Sequence, residues 1–186
     1  MQEVALELFA EQGYEKTSLR EIAERLGVTK AALYYHFQSK EDIVRSFSRE
    51  YQAELDDLIA WAGRQPRTPQ TRAAILARYA DIVSARLGVI RFMEQNQAAL
   101  HSLMGDGEHR KRMMRAQFHK LREVVTPPGA PLREQIRAAM ALMSVGLGSM
   151  LFQAEAGSPE ELNAAVLDIA RELAAAEPVS PAPARH

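Results

Sequence analysis

Apolar residues recur every three or four positions along most of the chain, which is the spacing of amphipathic helices. The first helix is predicted from Met1 to Gln12 and ends at Gly13, with Leu8 and Phe9 on its apolar face. The alternating pattern of strands is absent, and the sequence carries no internal repeat. The pattern therefore predicts an all-α fold of about nine helices.

A long helix is predicted from Ser39 to Ala62, because apolar residues recur there every four positions. At 1.5 Å per residue it would be roughly 36 Å long, enough to cross from one domain into another. Pro66 and Pro69 end this helix and form the first linker. The next helix is expected from Thr71 to about Arg86. Gly88 would break it, and a shorter helix would follow.

The second half of the chain predicts three further helices. The helix over 108–125 has a basic face, which is either a solvated surface or a site for an anionic ligand or DNA. The stretch 138–153 is uncharged but shorter than the ~20 residues of a membrane span, so we expect it to be buried between its own subunit and a second one. Ser158 and Pro159 form a strong start for the last helix.

The most informative stretch is 17–40, which predicts two short helices joined by a tight turn. Ser18 and Glu21 form a capping box at the start of the first helix. Gly27 stands where a helix ends in a left-handed residue, and Thr29 can cap the second helix. This is the helix-turn-helix arrangement, in which the N-terminal end of the second helix faces the DNA major groove.

The residues of this stretch identify a family as well as a motif. The segment ALELFAEQGYEKTSLREIAERLGVTKAALYYHFQSKEDIV resembles the DNA-binding domain of TetR-family transcriptional regulators. The resemblance covers residues 1–50, and the rest of the chain is similar only in architecture. It implies a three-helix helix-turn-helix domain over residues 1–46 and a helical effector-binding and dimerisation domain over 47–176. We expect a disordered, proline-rich tail over 177–186.

The resemblance also implies a homodimer whose two second helices enter successive major grooves of a palindromic operator. It places these side chains nearest the bases: Arg20, Thr29, Lys30, Ala31 and Tyr35. It places these at phosphate-contacting positions: Thr17, Ser18, Tyr34, His36 and Lys40. Many relatives have glycine at the position of Ala31, whose methyl group would lie against a thymine.

An effector pocket between the middle helices is a further implication of the resemblance. Its candidate lining residues are Phe92, Met93, Gln97, Met104, Met113, Met114, Phe118, Met143 and Phe152, since methionine-rich surfaces adapt to varied ligands. Plain core packing is the alternative interpretation of this helical spacing. The dimer interface would be a four-helix bundle of 132–152 and 158–175 from both subunits, with Met143, Leu147, Met150, Leu151, Leu162, Val166, Ile169 and Leu173 in the contact.

The charge balance changes how DNA would be bound. The net charge is −1, and residues 1–50 hold 7 basic and 9 acidic side chains, which gives −2. Binding would therefore depend on a few contacts and on helix N-termini rather than on a broad basic surface. The chain contains no cysteine, which excludes disulfides and cysteine-based metal sites, and no signal-peptide pattern opens it, so we expect a cytoplasmic protein.

Catalytic motifs are missing from the sequence, and the histidines lack metal-ligand spacing. We therefore expect no enzyme, no cofactor, no metal site and no membrane span. The expected function is a ligand-responsive repressor that is released from its operator by a small hydrophobic effector. Two alternatives stay open: a TetR-fold nucleoid or architectural protein without a small-molecule switch, and an interaction module whose helix-turn-helix no longer binds DNA.

Overall fold

The computed structural model describes residues 1–100 and 107–175, and of residues 107 and 109–111 it describes only the backbone. The described residues form ten α-helices and no strand, which confirms the all-α prediction. Met104 and the predicted tail lie outside them. The helices are α1 Gln2–Gln12, α2 Leu19–Leu26, α3 Lys30–His36, α4 Lys40–Gly63, α5 Pro69–Ser84, α6 Leu87–Gln95, α7 Gln97–Leu100, α8 Gly107–Val125, α9 Leu132–Leu151 and α10 Pro159–Ala175.

Two boundaries differ from the sequence prediction. Pro69 is the first residue of α5, capped by the side chain of Thr68, and is therefore not part of the linker. Its fixed φ and missing N–H suit the first position of a helix. Gly88 lies inside α6 rather than breaking a helix. A Cβ at Gly88 would stand 3.3 Å from the Leu6 side chain, so the glycine permits a close approach of α6 to α1.

One hydrophobic core, the N-terminal core, is built from α1 to α3, the first half of α4, and α6 with α7. Phe92 of α6 is only 4% exposed and stacks on Phe9 of α1, with the ring centroids 5.2 Å apart. The rings of Tyr14 and Phe47 meet Phe92 edge-on at 5.9 and 6.4 Å. Phe92, a predicted pocket residue, therefore fills the core beneath the helix-turn-helix, and Met93 packs against the same cluster.

The C-terminal core is formed by the second half of α4 together with α5, α8, α9 and α10. Helix α4 belongs to both cores, because Phe47 lies in the N-terminal core whereas Leu55 and Leu58 lie in the C-terminal one. Helix α4 thus connects the N-terminal core to the C-terminal core, which its predicted length allows. None of the described helices has the length and hydropathy needed to cross a membrane.

Arg86, between α5 and α6, ties this junction to α4. Its guanidinium donates to Glu54 at 2.7 Å and to Glu50 at 3.4 Å, and its side chain is 15% exposed. Beside it, Tyr51 of α4 and Tyr79 of α5 are hydrogen-bonded, and burial raises the pKa of both phenols. These contacts fix the start of α6 relative to α4.

We predict that Phe92→Ala lowers the free energy of unfolding by about 3–5 kcal/mol, because it removes a fully packed ring and leaves a cavity. Urea unfolding followed by circular dichroism measures the change. Tyr35→Ala deletes an aromatic ring that is 87% exposed, so it serves as the matched control and should change stability by less than about 0.5 kcal/mol. Equal losses in the two variants would contradict the assignment of Phe92 to the core.

Candidate nucleic-acid interface

Helix α2 begins with a complete capping box. The Ser18 hydroxyl accepts from the Glu21 N–H, and the Ser18 N–H donates to the Glu21 carboxylate at 2.7 Å. The Ser18 hydroxyl also donates to that carboxylate at 2.7 Å. These hydrogen bonds lower the pKa of Glu21 below its ordinary value. The N–H groups of Ser18 and Glu21 are therefore both satisfied within the protein.

The turn between α2 and α3 depends on Gly27, which adopts a left-handed conformation with φ 65°. The N–H groups of Gly27 and Val28 both bond to the carbonyl of Ala23, which closes the C-terminus of α2. Ala23 is buried, so a small side chain at this position lets the two helices pack closely. The turn fixes the angle at which α3 leaves the domain.

Helix α3 is anchored on one side by Leu33, which is completely buried. The Thr29 hydroxyl caps its N-terminus by accepting from the N–H of Ala32 at 3.1 Å. Ala32 is exposed, and since Leu33 is the one buried position of this seven-residue helix, its outer face is wide. This outer face is open to solvent.

The residues predicted to lie nearest the bases come together on that outer face. Thr29, Lys30, Ala31 and Tyr35 are all exposed. The Lys30 ammonium lies 5.2 Å from the centroid of the Tyr34 ring, and the Tyr35 ring contacts the His36 ring edge-on at 5.3 Å. The structure thus displays the Lys30 ammonium group and several aromatic rings on the outer face of α3.

Arg20, the fifth base candidate, lies on α2 and is paired within the protein. Its guanidinium donates to Glu24 at 2.8 Å, and both side chains are exposed. The pair spans one helical turn, and ion pairs between exposed side chains contribute little to stability. Arg20 can therefore exchange Glu24 for a DNA phosphate or base edge at little cost.

Three of the five predicted phosphate contacts have side chains that are engaged inside the protein. Thr17 is a correction: its side chain is buried, and its hydroxyl donates to the Gly13 carbonyl at 2.8 Å. The Ser18 hydroxyl is used by the capping box, and the Lys40 ammonium donates to the Tyr14 carbonyl at 2.6 Å. The other two, Tyr34 and His36, are exposed.

The predicted pocket residues are dispersed in the described part of the chain. Phe118 packs against the C-terminal core, whereas Met113 and Met114 are exposed on α8. Gln97 is exposed on α7, and Phe152 lies in a groove of about 520 Å³ between α9 and α10. No group of acidic and histidine side chains among the described residues could hold a metal ion.

Helix α9 carries an exposed apolar face that only partly matches the predicted dimer contact. Met143, Leu147 and Leu151 are exposed as expected, and Ile169 of α10 lies beside the groove. Leu162 and Val166 are buried within their own subunit, Leu173 packs against the C-terminal core, and Met150 is half-buried. Three further exposed residues within the predicted range 132–152 continue the face at helical spacing: Leu132, Ile136 and Met140.

The family profile described as "Bacterial regulatory proteins, tetR family" matches residues 3–47, which span α1 to α3 and the first turns of α4. The N-terminal region of the chain thus matches the DNA-binding region of the TetR family. The matched residues include the capping box, the Gly27 turn and the outer face of α3. The assignment therefore rests on the same residues that build the helix-turn-helix.

Individual relatives support the assignment over the same region. The transcriptional regulator AcrR of Shigella flexneri is 54% identical over 41 residues, which are 22% of this chain and 19% of AcrR. The transcriptional repressor KstR2 of Rhodococcus jostii is 43% identical over 56 residues, which are 30% of this chain and 26% of KstR2. The chain thus matches about a quarter or less of the length of these curated relatives.

The two-domain fold of the TetR family extends over nearly the whole chain. FadR of Bacillus subtilis, solved in complex with stearoyl-CoA, superposes with a TM-score of 0.57. The likeness covers 94% of this chain and 96% of FadR at 16% identity, so it shows the fold alone. The proteins that the chain resembles are regulators of transcription.

We predict that Gly27→Ala destabilises the protein by about 1–2 kcal/mol, because the left-handed conformation forces the new methyl group against the backbone. Gly63→Ala is the control, since Gly63 has no positive φ and its new methyl group would meet no atom within 4 Å. That substitution should stabilise by up to about 1 kcal/mol. Denaturant unfolding of both variants gives the comparison, and a loss at Gly63 as large as that at Gly27 would refute the turn assignment.

Proposed function

We propose that this TetR-family regulator is a repressor that binds a palindromic operator as a homodimer and is released by a small hydrophobic effector. The observation that carries the proposal is the outer face of α3, where Thr29, Lys30, Ala31 and Tyr35 are exposed together on a capped helix-turn-helix. An exposed tyrosine at 87% accessibility has no packing role in the monomer. A DNA groove would give this face its partner.

In this proposal the bases are contacted by Arg20 of α2 and by four residues at the N-terminal end and outer face of α3: Thr29, Lys30, Ala31 and Tyr35. Tyr34 and His36, also on α3, contact phosphates. Thr17 is left out because its hydroxyl is buried. The helix-turn-helix domain carries a net negative charge over residues 1–50. Affinity would therefore come from a small number of contacts, and its dependence on salt should be moderate.

Dimerisation through α9 and α10 is the second part of the proposal. Its support is the exposed apolar face of α9, which extends from Leu132 to Leu151 and continues into the groove beside Ile169. Soluble monomers rarely expose a continuous apolar patch of this kind. A second copy of the chain, related by a two-fold axis, would cover it with the same surface.

The third part is release by an effector. FadR, which shares the fold, was solved with stearoyl-CoA, and this supports an apolar ligand for the proposed pocket. The ligand would act on a dimer with two conformations that differ in the separation of the DNA-binding domains. It must bind one of these conformations more tightly than the other, because otherwise it does not shift the equilibrium between them. Helix α4 would transmit the change because it belongs to both cores, and Phe92 would carry the motion of α6 to α1.

The dispersal of the predicted pocket residues favours the second candidate, an architectural DNA-binding protein without a small-molecule switch. The two candidates differ in one measurement. Long-chain acyl compounds and other apolar ligands are added to the protein–operator complex, and dissociation is followed by fluorescence anisotropy. Release by any of them supports the repressor, and retention with all of them supports the architectural protein.

Lys30→Ala is predicted to weaken operator binding by about 1–3 kcal/mol at selected base pairs, as expected for a side chain that reads a base. The operator is first obtained by enrichment of bound random oligonucleotides, and affinity is then measured on single-base variants. Lys120→Ala removes an equally exposed cation on α8 and should leave binding unchanged. Failure of the wild-type protein to enrich any sequence would support the non-binding interaction module.

Leu147→Glu is predicted to raise the dimer dissociation constant at least tenfold, which is about 1.4 kcal/mol, because it buries a charge in the apolar contact. Sedimentation equilibrium measures the mass. Met114→Glu introduces the same charge at a side chain on α8 that is 65% exposed, and it should leave the dimer intact. A dimer that survives Leu147→Glu would mean that the α9 face is not the interface.

A further inference from the structure

Lys40, at the start of α4, is held against the turn between α1 and α2. Its ammonium group donates to the Tyr14 carbonyl at 2.6 Å and to the Glu15 carbonyl at 3.2 Å. It also lies 4.6 Å from the centroid of the Tyr14 ring. The side chain that the family resemblance places on a DNA phosphate thus has three partners inside the protein.

Tyr14 makes this attachment rigid. Its ring is 5% exposed and packs edge-on against both Phe9 and Phe92, so it belongs to the N-terminal core. Its hydroxyl donates to the Glu41 carboxylate at 3.1 Å, which joins the turn to α4 a second time. Lys40 therefore closes a ring of contacts around the α1–α2 turn.

Lys16 lies in the turn between α1 and α2, and its side chain has a different environment from that of Lys40. Its side chain is exposed, and within residues 1–100 and 107–175 no carboxylate, carbonyl or aromatic ring pairs with its ammonium group. It lies two residues before Ser18, the N-cap of α2. In a helix-turn-helix the first helix crosses the DNA backbone, so this end of α2 faces phosphates.

The side chains of the two hydroxyl residues at the start of α2 are already engaged within the protein. The N–H and the hydroxyl of Ser18 both donate to the Glu21 carboxylate. The Thr17 hydroxyl is buried. The free cation nearest this end of α2 in sequence is Lys16, and its long flexible stem can reach past the carboxylate.

We propose that Lys16 makes the phosphate contact at this corner of the interface, and that Lys40 is a positioning residue that holds the α1–α2 turn on α4. The assignment rests on the proposed binding of DNA. It replaces the phosphate contact that the family resemblance implies for Lys40. Removing Lys40 leaves two carbonyls without their donor and frees the turn that carries Lys16.

Salt dependence separates the two roles, because only a cation that neutralises a phosphate releases a counterion. Affinity of the full-length dimer for its enriched operator is measured between about 50 and 200 mM salt. Lys16→Ala should weaken binding and reduce the magnitude of the slope of log K against log salt by about 1.8. This value is the sum of about 0.9 for the one phosphate contact that each of the two subunits loses. Lys16→Arg keeps the charge and should keep the slope.

Lys40→Met should weaken binding at every salt concentration with the slope unchanged, and it should lower the melting temperature. Lys40→Arg should restore both, because a guanidinium can donate to the same two carbonyls. A flattened slope in Lys40→Met, or an unchanged slope in Lys16→Ala, overturns the proposal. If Lys40→Met does not fold, the slope of Lys16→Ala alone decides. Absence of operator binding by the wild-type protein would instead refute the proposed function.

Discussion

The packing of Phe92 against Phe9 and Tyr14 is the contact on which the arrangement of the molecule depends. Phe92 comes from α6, more than fifty residues after the helix-turn-helix, yet it fills the core that supports α1, α2 and α3. Buried aromatic pairs of this kind contribute about 0.5–1.5 kcal/mol each beyond the burial of their surface. The DNA-binding domain is therefore completed by a residue that lies far beyond the helix-turn-helix in the sequence.

Because Phe92 lies in the N-terminal core, two separate helices connect the N-terminal core to the C-terminal part of the molecule. Helix α4 is continuous between the cores, and α6 enters the N-terminal core from the side. Arg86 binds the start of α6 to Glu50 and Glu54 of α4, so the two connections are also joined to each other. A displacement of α5 or α6 would consequently act on α1 through Phe92 and on α4 through Arg86.

Local sequence signals predicted the helix-turn-helix well, since its caps and turn are set by neighbouring residues. The box of Ser18 and Glu21, the left-handed Gly27 and the cap at Thr29 all appear in the structure as expected. Contacts distant in sequence were not predictable in this way. The helical spacing of Phe92 fits a pocket and a core equally, and nothing near Lys40 indicates that the Tyr14 carbonyl accepts from its ammonium group.

Through Phe92, α6 forms part of the DNA-binding domain, and hydrogen exchange can measure whether it does. Phe92→Leu keeps an apolar side chain but removes the aromatic contacts. In this variant the amides of α1 and of the turn around Tyr14 should exchange faster, while those of α9 and α10 keep their protection. Unchanged exchange in α1, or an equal increase throughout the protein, would contradict the claim.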